Sequence, residues 1–253
     1  MTRPAPGGPR EESTLVRRHE PSLGLLKHRT DGRPTAGIIT LRDPRSPVAE
    51  AYRGLRTNIQ FSSLDAELRT LLITSAGPNE GKSTTLANLA VVMAEAGKRV
   101  LAVDCDLRRS SLHTLFGLEN TGGFTSLFLD DSAGPLPIQD TAVPNLRVLT
   151  SGPPPPNPST VLGSEVMGRV LDLLRSAADV VLFDAPPVLA YTDATLLATR
   201  VDGVLLVVDA GATRRDLARR ARAQLEKVNA RILGVVLNNV PLDTQVYGYY
   251  PQR

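Results

Sequence analysis

The stretch Ala76-Gly-Pro-Asn-Glu-Gly81-Lys82-Ser83 limits what this chain can fold into more than any other part of it. Apart from alanine at its first position, it follows the glycine-rich phosphate-binding pattern that ends in Gly-Lys-Ser. That pattern has meaning only between a strand and a helix, and the flanks supply both. Residues 71–74 are an apolar run closed by a Ser-Ala-Gly-Pro turn, and beyond Lys82 the residues Leu86, Leu89, Ala90 and Met93 share one helical face until Gly97. In such a setting, loop N–H groups and the positive end of the helix cradle anionic oxygens. Lys82 then reaches the β- and γ-phosphates of a nucleotide, and the Ser83 hydroxyl is placed for Mg2+. Gly77, Asn79, Glu80, Gly81, Lys82, Ser83 and Thr84 are therefore candidate nucleotide-binding residues. The plainer alternative, a glycine-rich turn that merely starts a helix, is disfavoured by the strand-loop-helix context.

The rest of the chain extends that unit into an alternating fold. Residues 1–45 mix Pro, Gly, Arg and Glu without period and read as a flexible arm. From Pro47 a helix is expected, with Tyr52, Leu55 and Ile59 on one face. Further strands are expected at 100–103, 146–149, 180–183, 204–208 and 232–237, the last three fully apolar and separated by helices near 193–199 and 216–228. Residues 117–145 look irregular, the proline-rich run 152–158 must be an extended connector, and one helix follows it to about Ser176. Aromatic residues are only 4% of the chain, so Leu, Val, Ala and Ile must build the core, which suits buried parallel strands. The expected fold class is α/β: a three-layer P-loop NTPase fold with a mostly parallel central sheet flanked by helices, spanning 46–242 and followed by a tail at 243–253.

Composition also sets what is not expected. Cys105 is the single cysteine, so there is neither an internal disulfide nor a cysteine zinc site, and a reducing compartment fits. No apolar run approaches the roughly 18 residues of a membrane span, and no signal or transit peptide is legible. A net charge of +3, dispersed and with few aromatics, gives no reason to expect a nucleic-acid partner. His19, His28 and His113 lack partners at metal-ligand spacing. The basic helix face at Arg219, Arg220 and Arg222 reads as solvated, after a start at Thr213-x-x-Asp216 that resembles a capping box.

Hard cations prefer oxygen ligands, and in an α/β sheet these gather at the carboxyl ends of strands. Two blocks qualify: Asp104-Cys-Asp106-Leu-Arg108 after one apolar run and Asp184-Ala-Pro-Pro187 after another. Any one such aspartate is as readily a turn former or a helix cap. Three of them ending strands beside a phosphate loop point to a metal-nucleotide site.

These blocks resemble the Walker A, Walker A′ and Walker B motifs of the bacterial tyrosine kinase family, the cytoplasmic kinases of capsule and exopolysaccharide synthesis, over residues 46–253. The resemblance implies ATP and Mg2+ as cofactors, with Lys82 on the transferring phosphoryl group and Ser83 and Asp184 on the metal. Asp104 would lie near that metal, and Asp104 or Asp106 would serve as the base. Asn238, closing the last strand, is similar to a position that contacts adenine in related ATPases. Glu50, Arg53 and Arg56 match the family's Glu-x-x-Arg-x-x-Arg element for assembling rings, which on spacing alone is an ordinary charged helix face.

The chain's Tyr247, Tyr249 and Tyr250 correspond to the C-terminal tyrosine cluster that is the autophosphorylation target, although terminal tyrosines also occur incidentally. The expected partners are a membrane-spanning chain-length regulator that activates the kinase, further copies in a ring when unphosphorylated, and a phosphotyrosine phosphatase. The expected location is the inner face of the cell membrane, held there through the activator. A ParA- or MinD-like positioning ATPase is the nearest rival, but it carries a signature lysine where this chain has Gly77. A non-catalytic ATP-binding regulator of polymer export is the third reading.

Overall fold

The computed structural model of the protein describes residues 1, 37–62, 67–128 and 136–241, and the statements below concern these. Seven strands form one sheet: β1 (Thr70–Ser75), β2 (Val100–Asp104), β3 (Gln139–Asp140), β4 (Leu146–Leu149), β5 (Val180–Asp184), β6 (Gly203–Asp209) and β7 (Ile232–Asn238). Their spatial order is β3-β4-β2-β5-β1-β6-β7, all parallel except the short β3. The chain leaves β1 toward β2, returns to insert β5 between them, and then crosses to the other side through β6 and β7. The reversal occurs beside β1, and a crevice at such a switch point is where open α/β sheets bind ligands.

Both sheet faces are buried, which explains why the central strands read as continuous apolar runs. With side chains alternating along each strand, Leu71, Ile73, Val100, Ala102, Leu205 and Val207 join one core, while Leu72, Leu101, Val103, Leu206 and Val208 join the other. Helices α1 (Ile39–Arg42), α2 (Pro47–Phe61), α3 (Lys82–Glu95) and α4 (Leu112–Phe116) lie on the first side. The second carries α5 (Pro158–Gly163), α6 (Val166–Ala177), α7 (Asp193–Ala198) and α8 (Arg215–Glu226). Ser46 starts α2 by accepting the Ala49 N–H, with Pro47 fixed in the first turn, where its missing donor costs nothing.

Three expectations need correction. Residues 38–42, counted with a flexible arm, are packed: Ile38 and Thr40 are buried, and Thr40 donates both its N–H and its hydroxyl to the Asn88 side chain at 3.0 Å. Four apolar or small residues, 38–41, are too few to show a period, but Asn88, itself inside α3, supplies the anchor. The single helix expected after the proline run is two, because the chain leaves helical geometry at Ser164, the extended C-cap of α5. Strand β7, expected to be fully buried, leaves Val235 and Leu237 exposed by 52% and 61%. It pairs with β6 alone at the sheet edge, and Val235 and Leu237, two residues apart, share a face that is left uncovered among the described residues.

Replacing Asn88 with Ala removes the acceptor for two Thr40 groups and the donors to the Gly37 and Thr84 carbonyls. We expect a loss of about 2 kcal/mol in urea unfolding, with hydrogen exchange at the Thr40 amide accelerated ahead of the β1 amides.

Candidate active site

Strand β1 delivers the chain into the glycine-rich loop, and α3 begins at once after it. Gly81 takes a left-handed conformation, φ +87°, as the N-cap of α3. A Cβ there would collide with the Asn238 amide, so the residue must be glycine on both counts. Asn79, φ +61°, is a second left-handed position, one that asparagine tolerates.

At the first turn of α3 the Lys82 ammonium sits between two strand ends. It is 2.8 Å from Asp106 Oδ2, and it donates to Asp184 Oδ1 at 3.1 Å and to Ser83 Oγ at 3.1 Å. Ser83 in turn donates to Asp184 Oδ2 at 2.5 Å. Burial disfavours the Lys82 cation, yet the two carboxylates outweigh it and hold its pKa above the usual value. Burial also raises Asp184, against the opposing pull of Lys82 and Ser83.

The β2–β5 register places Asp104 directly beside Asp184. Asp104 is fully buried, and its carboxylate is spent on the backbone. Oδ1 accepts the Asp106 N–H at 3.2 Å, and Oδ2 accepts those of Ser111 and Leu112 at 2.9 and 3.0 Å. Desolvation first, then the Asp184 charge, push its pKa up to about 7. Asp106, by contrast, lines a cavity of about 580 Å³ together with Asn79, Gly81, Lys82, Ser83 and Thr84. The sequence could not separate the two aspartates as proton acceptors; the fold turns only Asp106 toward the cavity and makes Asp104 a backbone anchor.

Arg108 does not pair with either of these acids. Its guanidinium takes Asp193 in a bidentate grip at 2.8 and 3.2 Å and lies 4.1 Å over the Tyr191 ring, while Ser159 donates to the same carboxylate at 2.6 Å. It therefore ties the end of β2 to the starts of α5 and α7.

Several candidates serve the loop itself. Gly77 and Glu80 lie off the cavity wall, and the Glu80 carboxylate folds inward: Oε2 accepts the Ala76 N–H at 2.9 Å and Oε1 accepts the Thr213 hydroxyl at 2.6 Å. Asn238 Nδ2 donates to the Glu80 carbonyl at 3.0 Å, so it fastens the loop to the end of β7. Thr213 was expected to cap α8, but the N-cap is Arg214, whose guanidinium pairs with Asp216. Nothing local in sequence announces the Thr213–Glu80 bond, which joins residues 133 apart. Pro187, which closes the second acidic block, also lines the cavity, as do Arg109, Ser110, Ser111 and Leu115, which sequence does not single out although Arg109 adjoins the first acidic block.

On α2, Arg53 pairs with Glu50 at 3.1 Å and donates to the Pro44 carbonyl at 2.8 Å, and Arg56 donates to the Val92 carbonyl at 3.2 Å. Tyr247, Tyr249 and Tyr250 lie outside the described residues. Among the described residues no helix is long and apolar enough to cross a membrane, and no three His, Cys, Asp or Glu side chains form a metal site of their own. The Ser83 hydroxyl beside the Asp184 carboxylate is a hard oxygen pair that fits Mg2+, a cation normally completed by water and phosphate oxygens.

Asp104 binds its proton more tightly folded than unfolded, so the stability linked to it is full below about pH 4 and is lost as pH rises to about 7. Asp104→Asn removes that titration. In urea unfolding of nucleotide-free protein, the variant should gain on the wild type between pH 5 and pH 8; a difference independent of pH would contradict the assignment.

Residues 71–247 match the CobQ/CobB/MinD/ParA nucleotide binding domain. Tyrosine-protein kinase YwqD of Bacillus subtilis (strain 168) is 43% identical over 229 residues, covering 90% of this chain and 96% of that protein. Two solved structures superpose with a TM-score of 0.78. The chimerical protein CapA2B2 is 38% identical, over 87% of this chain and 94% of its own. The kinase domain of the Escherichia coli tyrosine kinase ETK is 33% identical, over 86% and 84%. The extent of these matches, on a sheet that brings the loop lysine and the strand-end acids together, decides the family: the chain belongs to the CobQ/CobB/MinD/ParA nucleotide-binding domains and, among them, to the bacterial tyrosine-protein kinases.

Proposed function

We propose that this kinase transfers the γ-phosphate of ATP to tyrosines of its own tail, Tyr247, Tyr249 and Tyr250, with Asp106 as the base. The observation that carries the choice is the position of Asp106, at the cavity wall and 2.8 Å from Lys82, while Asp104 is enclosed and committed to backbone amides. Mg2+, when bound through Ser83 and Asp184, supplies charge neutralisation on the phosphate oxygens, and Asp104 stands behind Asp184 as a buried neighbour.

The chain's own groups would do the rest. Loop N–H groups and the start of α3 hold the phosphates, and Lys82 exchanges its carboxylate partners for phosphoryl oxygens. As the tyrosine oxygen attacks phosphorus, Asp106 accepts the phenolic proton, the bond to the bridging oxygen breaks and ADP leaves with the electron pair. Gly77, Asn79, Glu80, Gly81 and Thr84 shape the phosphate loop, and Asn238 borders the base side.

The physiological setting we propose is control of capsule or exopolysaccharide synthesis. The kinase would act at the inner membrane face through a membrane-spanning activator and be reversed by a phosphotyrosine phosphatase. Glu50, Arg53 and Arg56 would join unphosphorylated copies into a ring, the two arginines already being oriented by bonds to Pro44 and Val92. A MinD-like use of a lysine across a dimer is not favoured, since a Cβ at Gly77 would already stand 3.2 Å from the Glu80 carboxylate.

Incubation with Mg-ATP and phosphopeptide mapping tests this. Wild type should carry phosphate in 243–253; Lys82→Met should carry none, and Asp106→Asn should be slowed about 100-fold or more. Phosphate on the tail at wild-type rate in Asp106→Asn would move the base elsewhere. Asp104→Asn should be slowed less than Asp106→Asn, the reverse ranking being the outcome that rejects the division of roles.

A further inference from the structure

Arg108 and Arg109 are adjacent in sequence and opposite in circumstance. Arg108 is saturated by Asp193, Ser159 and Tyr191. Arg109 lines the cavity with Lys82, Ser83 and Asp106, and among the described residues its guanidinium has no hydrogen-bond or ion-pair partner. Its backbone, however, is firmly placed. The Arg109 N–H donates to Asp106 Oδ1 at 3.0 Å, and the following N–H groups of Ser111 and Leu112 are held by Asp104. An unpaired cation on a fixed backbone at a cavity wall is prepared for an anion that arrives from outside.

The charge count of the cavity floor calls for one. Asp106 and Asp184 share the single ammonium of Lys82, with Asp104 buried beside Asp184. A nucleotide triphosphate that arrives with its Mg2+ still carries net negative charge, and Lys82 alone cannot balance it while two carboxylates hold it. Position 77 contributes no cation, being glycine beside the Glu80 carboxylate. A guanidinium fork matches two phosphate oxygens at once, which an ammonium cannot do.

We propose that Arg109 is the second basic side chain of the phosphoryl-transfer site, beside Lys82, and contacts oxygens of the γ-phosphoryl group of ATP. This rests on the reading that phosphoryl transfer occurs in this cavity. Arg109 itself makes and breaks no covalent bond. The tyrosine oxygen bonds to phosphorus, the bond to the bridging oxygen breaks toward ADP, and the phenolic proton goes to a carboxylate. Arg109 compensates charge on the equatorial oxygens.

The test compares wild type, Arg109→Ala and Arg109→Lys, leaving the Arg109 N–H bond to Asp106 intact. Binding of Mg-ADP and of a non-hydrolysable Mg-ATP analogue is measured by calorimetry, and total phosphotyrosine by its rate of appearance. For Arg109→Ala we expect Mg-ADP affinity within about twofold of wild type, which also verifies folding, and analogue affinity lowered about tenfold. Phosphotyrosine formation should fall about 100-fold, with Arg109→Lys between the two. Unchanged preference for the analogue over Mg-ADP would overturn the proposal. So would normal binding of both nucleotides in Arg109→Ala together with slowed phosphotyrosine formation, since Arg109 would then serve the acceptor. If wild type formed no phosphotyrosine, the kinase mechanism would fail, while the two nucleotide affinities would still decide the role of Arg109.

Discussion

One ammonium group between two carboxylates organises the centre of this molecule. Lys82 comes from the first turn of α3, Asp184 from the end of β5 and Asp106 from just beyond β2, and these meet only because the sheet places β5 between β1 and β2. Such a buried arrangement adds little net stability, because removing three charges from water costs about as much as their attraction returns. Its value lies in exchangeability. A phosphate oxygen can replace a carboxylate as the partner of Lys82 without uncovering the cation, and the displaced carboxylate is then available to a metal or a proton.

The three acids divide the work according to burial. Asp104, sealed in and facing Asp184 across the β2–β5 pairing, fixes the turn that follows β2 through three backbone N–H groups. Asp184, also sealed, orients the Ser83 hydroxyl. Only Asp106 combines contact with Lys82 and a place on the cavity wall. Burial first, and then the charge of Asp184 beside it, push Asp104 up to about 7 even though amide donors favour its anion, because Lys82 is engaged by the other two carboxylates.

Much of this was legible in sequence where the determinant was local. The loop, its flanking strand and helix, and the acids closing β2 and β5 each occupy a few consecutive residues with a physical signature, and the structure brings Lys82, Ser83, Asp106 and Asp184 together. What escaped depended on distant partners. Thr213 looked like a helix cap because its neighbour Asp216 completed a local pattern, whereas Glu80, remote in sequence, claims its hydroxyl. The packing of 38–42 depends on Asn88, and the grip on Arg108 on Asp193. Exposure of β7 was likewise invisible, since an apolar run does not reveal whether its strand ends up central or at an edge.

Strand order also distributes the chemistry across the site. The charged floor is carried by the ends of β2 and β5 and the first turn of α3 at the middle of the sheet, and the turn bearing Arg109, Ser110 and Ser111 lines the same cavity. On the opposite side, β6 and β7 hold the glycine-rich loop by two bonds to a single residue, the Thr213 hydroxyl on the Glu80 carboxylate and the Asn238 amide on the Glu80 carbonyl. Asp209 strengthens that side by accepting N–H groups of Gly211 and Ala212 and the Asn239 amide. Glu80 is therefore one point, beside the β1–β6 pairing, at which strands that carry no acid of the floor bear on the loop that leads to Lys82. The β6–β7 end is thereby connected to the ammonium through the loop, which runs directly into the first turn of α3.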